Sequence, residues 1–167
     1  MNGIKAQYYQ SLGQYAQAEP YLRERLESLQ KLADRNPRIG INARLDLSVN
    51  LRKQKRLMEA EIEARKAIQE ALGLGGQEGD FTARAVIVLG KVILAQKRFE
   101  EAEQLGRAGV RLMENAGLPP DSFSILKARE FLVTVLGSRA DFHGAVAALQ
   151  RRDGADARRV RLGSARR

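Results

Sequence analysis

The sequence predicts an all-α chain built from stacked helical hairpins, and three observations carry that prediction. A large apolar residue, two spacers and an alanine recur as Tyr15/Ala18, Leu57/Ala60, Phe99/Ala102 and Phe142/Ala145, at intervals of 42, 42 and 43 residues. Between these motifs, apolar residues keep the i, i+3, i+4, i+7 spacing of a helix face, as at Val86, Leu89, Gly90 and Ile93. Glycine and proline gather between the units, at Asn36-Pro37, Gly73-Leu74-Gly75-Gly76 and Gly117-Leu118-Pro119-Pro120. A fixed period held through the chain marks a repeat architecture, in which each unit buries its apolar face against its neighbours.

The elements follow in order. In the first unit the second helix runs from about Tyr15 to Asp34 and stops before Asn36-Pro37. The second unit has helices near 40–54 and 57–72, ended by Gly73-Leu74-Gly75-Gly76. The third opens with Asp80 as N-cap of a helix through about Gln96. Val88 and Val92 make further sides of that helix apolar, as suits one covered by several neighbours. After a break at Lys97-Arg98, its second helix spans about Phe99 to Asn115. Asp121 or Ser122 caps the next helix, about 122–138, and the fourth turn signature is Ala140-Asp141-Phe142-His143-Gly144-Ala145-Val146. The units are thus approximately 1–38, 39–79, 80–120 and 121–152, followed by an Arg-rich segment, 153–167, expected to be disordered. The fixed offset between alanine and large residue points to packing: Ala18, Ala60, Ala102 and Ala145 let the two helices of a pair approach closely.

Composition bounds the function. A hydrophobic fraction of 44% in 167 residues is enough for a core and too high for a wholly disordered chain. No apolar run is long enough to span a bilayer, and Met1-Asn2-Gly3-Ile4-Lys5 lacks the apolar block of a signal peptide, so a cytoplasmic protein without a membrane partner is expected. The absence of cysteine removes disulfides, thiolate metal sites and cysteine nucleophiles. Of the net charge of +9, residues 151–167 supply seven Arg and two Asp, or +5, leaving +4 for the first 150 residues. Nucleic-acid binding would therefore rest on this tail, and without an aromatic residue for stacking it would be weak and salt-dependent.

The turn sequences Tyr15-Ala16-Gln17-Ala18-Glu19-Pro20-Tyr21 and Phe99-Glu100-Glu101-Ala102-Glu103, set between paired helices, resemble those of tetratricopeptide repeats (TPR). The 42-residue period, the long second helix and the Gly/Pro linker are most similar to the kinesin-light-chain-like subclass, which also occurs in bacterial multidomain proteins. The resemblance covers about residues 3–152. Gly106 and Gly109 in a second helix, and Val133 in place of a small first-helix residue, depart from the pattern.

The resemblance implies a right-handed α-α superhelix whose first helices line a concave surface that holds a peptide or helix of another protein. On that inferred face lie Asn42, Leu45, Val49, Arg52, Arg84, Ile87, Lys91, Leu94, Lys127, Glu130 and Thr134, with Arg84 and Lys127 at equivalent places 43 residues apart. Cations and an amide beside Leu and Ile suit an acidic-hydrophobic protein segment, Asn42 bonding its backbone and Leu45 and Ile87 offering apolar contact. Ile87 and Leu94 equally fit packing against a neighbouring helix. A regulatory segment of a larger effector, such as a protease or signalling ATPase, is the alternative reading, and both chain ends fit a piece of a longer array. A nucleic-acid adaptor working through the Arg-rich tail is a further one.

No enzyme, cofactor or metal site is expected. His143, the only histidine, has no nucleophile recurring near it and reads as a surface residue. Gly73-Leu74-Gly75-Gly76 follows a helix and lacks the Gly-Lys-Ser/Thr of a phosphate loop. Glu59 with Glu63, and Glu100 with Gln104, share helix faces that solvation explains, with no second ligand cluster at metal-binding spacing.

Overall fold

The structure, a computed structural model, describes residues 2–31, 37–74 and 79–164, and of residues 2, 79–80 and 144–164 the backbone alone. Its helices are α1 (Asn2–Ser11), α2 (Tyr15–Gln30), α3 (Pro37–Lys53), α4 (Leu57–Leu72), α5 (Gly79–Ala95), α6 (Phe99–Asn115) and α7 (Phe123–Ser164). Helices α1/α2, α3/α4 and α5/α6 pair as hairpins, and each second helix packs on the first helix of the next unit. Pro37 starts α3 three residues before the expected position, at the first helical place, where its missing N–H is no loss. Ser122 rather than Asp121 caps α7, its hydroxyl accepting the Ile125 N–H at 3.4 Å. Helix α5 begins at Gly79, so Asp80 lies in its first turn; the side chain is outside the described residues, as is the expected stop at Asp34 and Asn36.

Each hairpin turn is made by one residue with left-handed backbone: Gly13 (φ 72°), Lys55 (φ 65°) and Lys97 (φ 64°). The N–H of the following residue closes the helix end, from Gln14 to the Tyr9 carbonyl at 2.9 Å, Arg56 to Leu51 at 3.0 Å and Arg98 to Ile93 at 3.2 Å. Glycine holds this conformation without a Cβ clash, whereas lysine is strained there by roughly 1–2 kcal/mol. Lys55→Gly and Lys97→Gly are therefore expected to raise the unfolding free energy by roughly 0.5–1 kcal/mol each, after the larger entropy of unfolded glycine is subtracted. Urea denaturation of each variant measures this, and a fall in stability would contradict the account.

The left-handed residue stands two places before the large apolar one, which puts Ala140 at that position in the fourth unit. Alanine is the strongest helix former and disfavours positive φ. The turn predicted at Ala140-Asp141 is accordingly not made, and α7 runs unbroken from Phe123 to Ser164. The second helix expected in the fourth unit is thus not a separate element, and α7 itself extends to Ser164. The side chains of Ala145 and of the Arg-rich segment lie outside the described residues.

The core forms where the motif predicts. Ala18, Ala60 and Ala102 are fully buried, and the Ser48 hydroxyl donates to the Ala60 carbonyl at 2.8 Å across the α3/α4 pair. Leu47, Leu89 and Phe131, and likewise Leu51, Ile93 and Val135, are buried at strict 42-residue spacing through α7. The extra residue of the last interval therefore falls after Val135, and Arg84 corresponds to Leu126 rather than to Lys127. In the same register Leu132, not Val133, takes the small-residue place, and Val133 is 69% exposed. The two unexpected glycines make room for neighbours. A Cβ on Gly109 would sit 2.5 Å from Ile87 Cδ1, and one on Gly106 3.3 Å from Leu132. Gly90, inside α5, receives the Phe131 ring, which a Cβ would meet at 2.8 Å.

A second periodic device joins the units. The glutamate after each motif alanine, Glu19, Glu61 and Glu103, is buried and receives side chains from the following unit. Gln54 donates to Glu19 at 2.9 Å and Gln96 to Glu61 at 2.9 Å, while Arg98 also reaches Glu61 and Arg56 reaches Glu19. Arg139 takes the equivalent role toward Glu103 at 2.5 Å. Within each helix an arginine one turn on completes the cage: Arg23, Arg65 and Arg107, at 2.7, 2.7 and 2.6 Å. Burial pushes the Glu19 and Glu61 carboxyls up, but Gln54, Arg23 and Arg56 around the first, and Gln96, Arg65 and Arg98 around the second, outweigh it and hold both below the ordinary carboxylate value.

Candidate functional site

First helices succeed one another along one face of a helical solenoid, and here α3, α5 and α7 do so, with α5 touching both neighbours. Two cavities open between α5 and α7. The smaller, about 190 Å³, has an apolar wall of Ile87, Val88, Met113 and Phe123, edged by Arg84, Lys91 and Lys127. The larger, about 270 Å³, is lined by Arg52, Lys91 and Lys127 with Glu130, Thr134 and Leu94. Lys91 and Lys127 belong to both, so the cavities adjoin across them.

Five of the seven expected partner-binding residues are brought together here: Arg52, Arg84, Ile87, Lys91 and Lys127. Arg84 is exposed and stands 5.8 Å over the Phe81 ring. Lys127 is exposed, bonded to Glu130 at 2.7 Å and 5.7 Å over the Phe123 ring. Arg52 is half-buried, and its Nε is buried with no hydrogen-bond partner. Burial lowers the Arg52 pKa from its ordinary value. Burial also lowers that of Lys91, aided by Arg52 and Lys127 and opposed by Glu130. Both cations are therefore held partly out of water, Lys91 also beside the like charges of Arg52 and Lys127.

Leu45 is a correction. It is 3% exposed and packs with Ile41, Ala67, Ala71 and Ala85, because α3 is covered by α4 on one side and α5 on another. Ile87 is also largely buried, at 7%, but presents its remaining surface to the smaller cavity. Asn42 lines neither cavity; it is half-buried with its Oδ1 unpartnered. Phe123, Met113 and Val88 are cavity residues that the expected set omitted. Val88 carried a signal, being apolar on a second side of its helix; Phe123 opens α7 and Met113 belongs to a second helix, where no partner surface was sought.

The chemistry-bearing candidates elsewhere are engaged structurally. Glu63 bonds Arg44 at 2.6 Å, and Arg44, itself buried, also holds Glu70 at 2.6 Å. Glu59 is bonded by Arg56. His143 is exposed, with its Nε2 3.9 Å from Glu100. Among the described residues no three His, Asp or Glu side chains gather as a metal-ligand set, and no helix is long and apolar enough to cross a membrane.

Solved structures that match the chain include the nearly identical TPR-like repeats of a kinesin light chain candidate from Podosopora anserina, with a TM-score of 0.70. The match covers 90% of this chain and 71% of that one. The chain has a TPR-like helical repeat fold. At 16% identity the likeness is one of architecture. No protein-family model matches the sequence, and no curated protein matches it either. What is TPR-like is the hairpin stacking and the period; the cation-edged cavities are built from this chain's own residues.

Proposed function

We propose that this TPR-like chain is a cytoplasmic protein-interaction scaffold that docks an acidic-hydrophobic segment of a partner protein along α3, α5 and α7. The carrying observation is the convergence of Arg52, Lys91 and Lys127 from three successive first helices beside an apolar cavity edged by Arg84. Carboxylates on the segment would complement the cations, which steers encounter and fixes register, while an apolar side chain fills the space against Ile87, Val88 and Met113. No bond is made or broken: function here is shape and charge complementarity.

The test is affinity capture from nuclease-treated lysate with wild type, Arg84→Glu/Lys127→Glu and the outer-surface control Lys31→Glu, read by quantitative mass spectrometry. Both groove residues are exposed, so the double variant is expected to keep its helical melt and to lose a partner's affinity by roughly tenfold or more. The control is expected to retain that partner. Equal capture by an intact double variant would overturn the placement.

A further inference from the structure

Arg52, Lys91 and Lys127 come from three different helices and line one cavity of about 270 Å³. Glu130 is the one carboxylate on that lining, and it is already bonded to Lys127 at 2.7 Å. Three cations and one anion leave two positive charges. Among the described residues Lys91 has no ion-pair partner, and the buried Nε of Arg52 has no acceptor. Bringing like charges into a half-buried pocket, and leaving a buried donor unmet, is unfavourable for the chain alone. An anion seated among them offsets the cost of the gathered like charges.

We propose, building on the docking groove above, that this cavity takes the phosphate of a phosphorylated side chain on the docked protein segment, while an apolar side chain of the same segment enters the adjoining cavity beside Phe123. Two features favour phosphate over carboxylate. A phosphorylated side chain carries a charge near −2 at neutral pH, which matches the surplus of two. Its three acceptor oxygens can meet donors that converge from three helices, whereas a planar carboxylate presents two. A protein segment is favoured over a nucleic-acid strand because the cations close on one cavity rather than tracking along the surface. Its neighbour offers a mixed aliphatic wall with the single aromatic Phe123, already covered by Lys127, and not a row of rings for stacking.

The test uses the full chain and fluorescence anisotropy. The probes are a labelled Gly/Ser peptide carrying one leucine and one phosphoserine, the same peptide with glutamate or serine in that place, and a labelled single-stranded oligonucleotide. The phosphoserine peptide is expected to bind roughly tenfold more tightly than the glutamate peptide, with serine weakest. Arg52→Gln, Lys91→Gln and Lys127→Gln should each erase most of that margin; the last alters an exposed side chain, so it reports even if the half-buried sites fail to fold. Equal binding of phosphoserine and glutamate peptides overturns the phosphate assignment and leaves the docking groove standing. Binding of no peptide overturns both. An oligonucleotide that binds more tightly than the phosphopeptide, and is lost in the same variants, overturns the assignment in favour of nucleic acid.

Discussion

Replacing Leu51 with alanine is expected to lower the unfolding free energy by roughly 2–5 kcal/mol, the range for deleting a fully buried leucine that leaves a cavity. Leu51 is 0% exposed and lies in a cluster with Leu22, Ala43, Leu47, Ala60 and Val92. Those residues come from α2, α3, α4 and α5, so one side chain fills the junction of three successive units. Neighbouring motif alanines have no larger side chain with which to collapse into the space, which places the effect well inside the range. In a solenoid the loss stays close to where it is made, since each unit touches its neighbours alone. Hydrogen exchange should therefore quicken across α1–α4 more than in α6. Urea denaturation gives the total, with Leu126→Ala as an exposed control expected to change stability by less than about 0.5 kcal/mol. A loss below about 1 kcal/mol for Leu51→Ala would show that this junction relaxes freely and is not the tight layer described.

The hairpins were legible because two independent periods agree: the apolar spacing within each helix and the 42-residue recurrence between units. Phe99–Asn115 and Leu57–Leu72 match their expected spans, since a motif residue starts each and a glycine or Asn-Ala-Gly stretch ends it. The fourth turn was misread because the apolar-x-x-Ala pattern marks the start of a second helix but does not make the turn. The turn needs a left-handed residue two places earlier, a conformation that Lys55 and Lys97 adopt under strain, whereas alanine is the strongest helix former and Ala140 stays helical within α7. The same blind spot set Lys127 against Arg84, since counting from the turn carries the extra residue into α7 while the buried positions do not.

The cations of the groove were legible for a simple reason. Charged side chains mostly leave the core unless paired: Arg52, Arg84, Lys91 and Lys127 line the open cavities, whereas Arg44 on α3 is buried between Glu63 and Glu70. Apolar residues carry no such constraint. Leu45 and Ile87 read alike in sequence, but α5 closes over Leu45 whereas the cavity between α5 and α7 leaves an edge of Ile87 open. Which neighbour covers which apolar side chain depends on how the units stack, and that is settled by contacts such as Gly109 with Ile87 and Gly90 with Phe131. The joining glutamates were visible as part of the motif, and their partners Gln54 and Gln96, or Arg23, Arg65 and Arg107, repeat at the same 42 residues. The glutamine pairs were not connected because that pairing crosses between units, whereas Arg23, Arg65 and Arg107 lie one turn on in the same helix.

Those glutamates yield the second large effect. Glu61→Ala is expected to cost roughly 1–3 kcal/mol, because Gln96 loses the acceptor it meets at 2.9 Å in a part-buried site and the α4–α5 junction loses its polar tie. Arg65 and Arg98 are about half exposed and regain water, which keeps the figure below that of a wholly buried pair. The pH dependence fixes the mechanism. Burial raises the Glu61 pKa, but the hydrogen bonds from Gln96 and Arg65 and the charge of Arg98 bring it below its ordinary 4.5 in the folded chain. The unfolded chain therefore binds the proton first as pH falls. Stability from this site is fully present above the ordinary value and is lost as pH drops through it toward the lowered folded value; Glu19 acts in the same direction. Denaturation midpoints taken at neutral pH and across the carboxylate range should show wild type losing more stability than Glu61→Gln, and Glu19→Gln/Glu61→Gln losing least. Because the two sites sit at different junctions, their effects should add within about 0.5 kcal/mol. Parallel acid profiles for wild type and the double variant would mean that the joining carboxylates are held by geometry alone, with their charge contributing nothing to the stacking of the units.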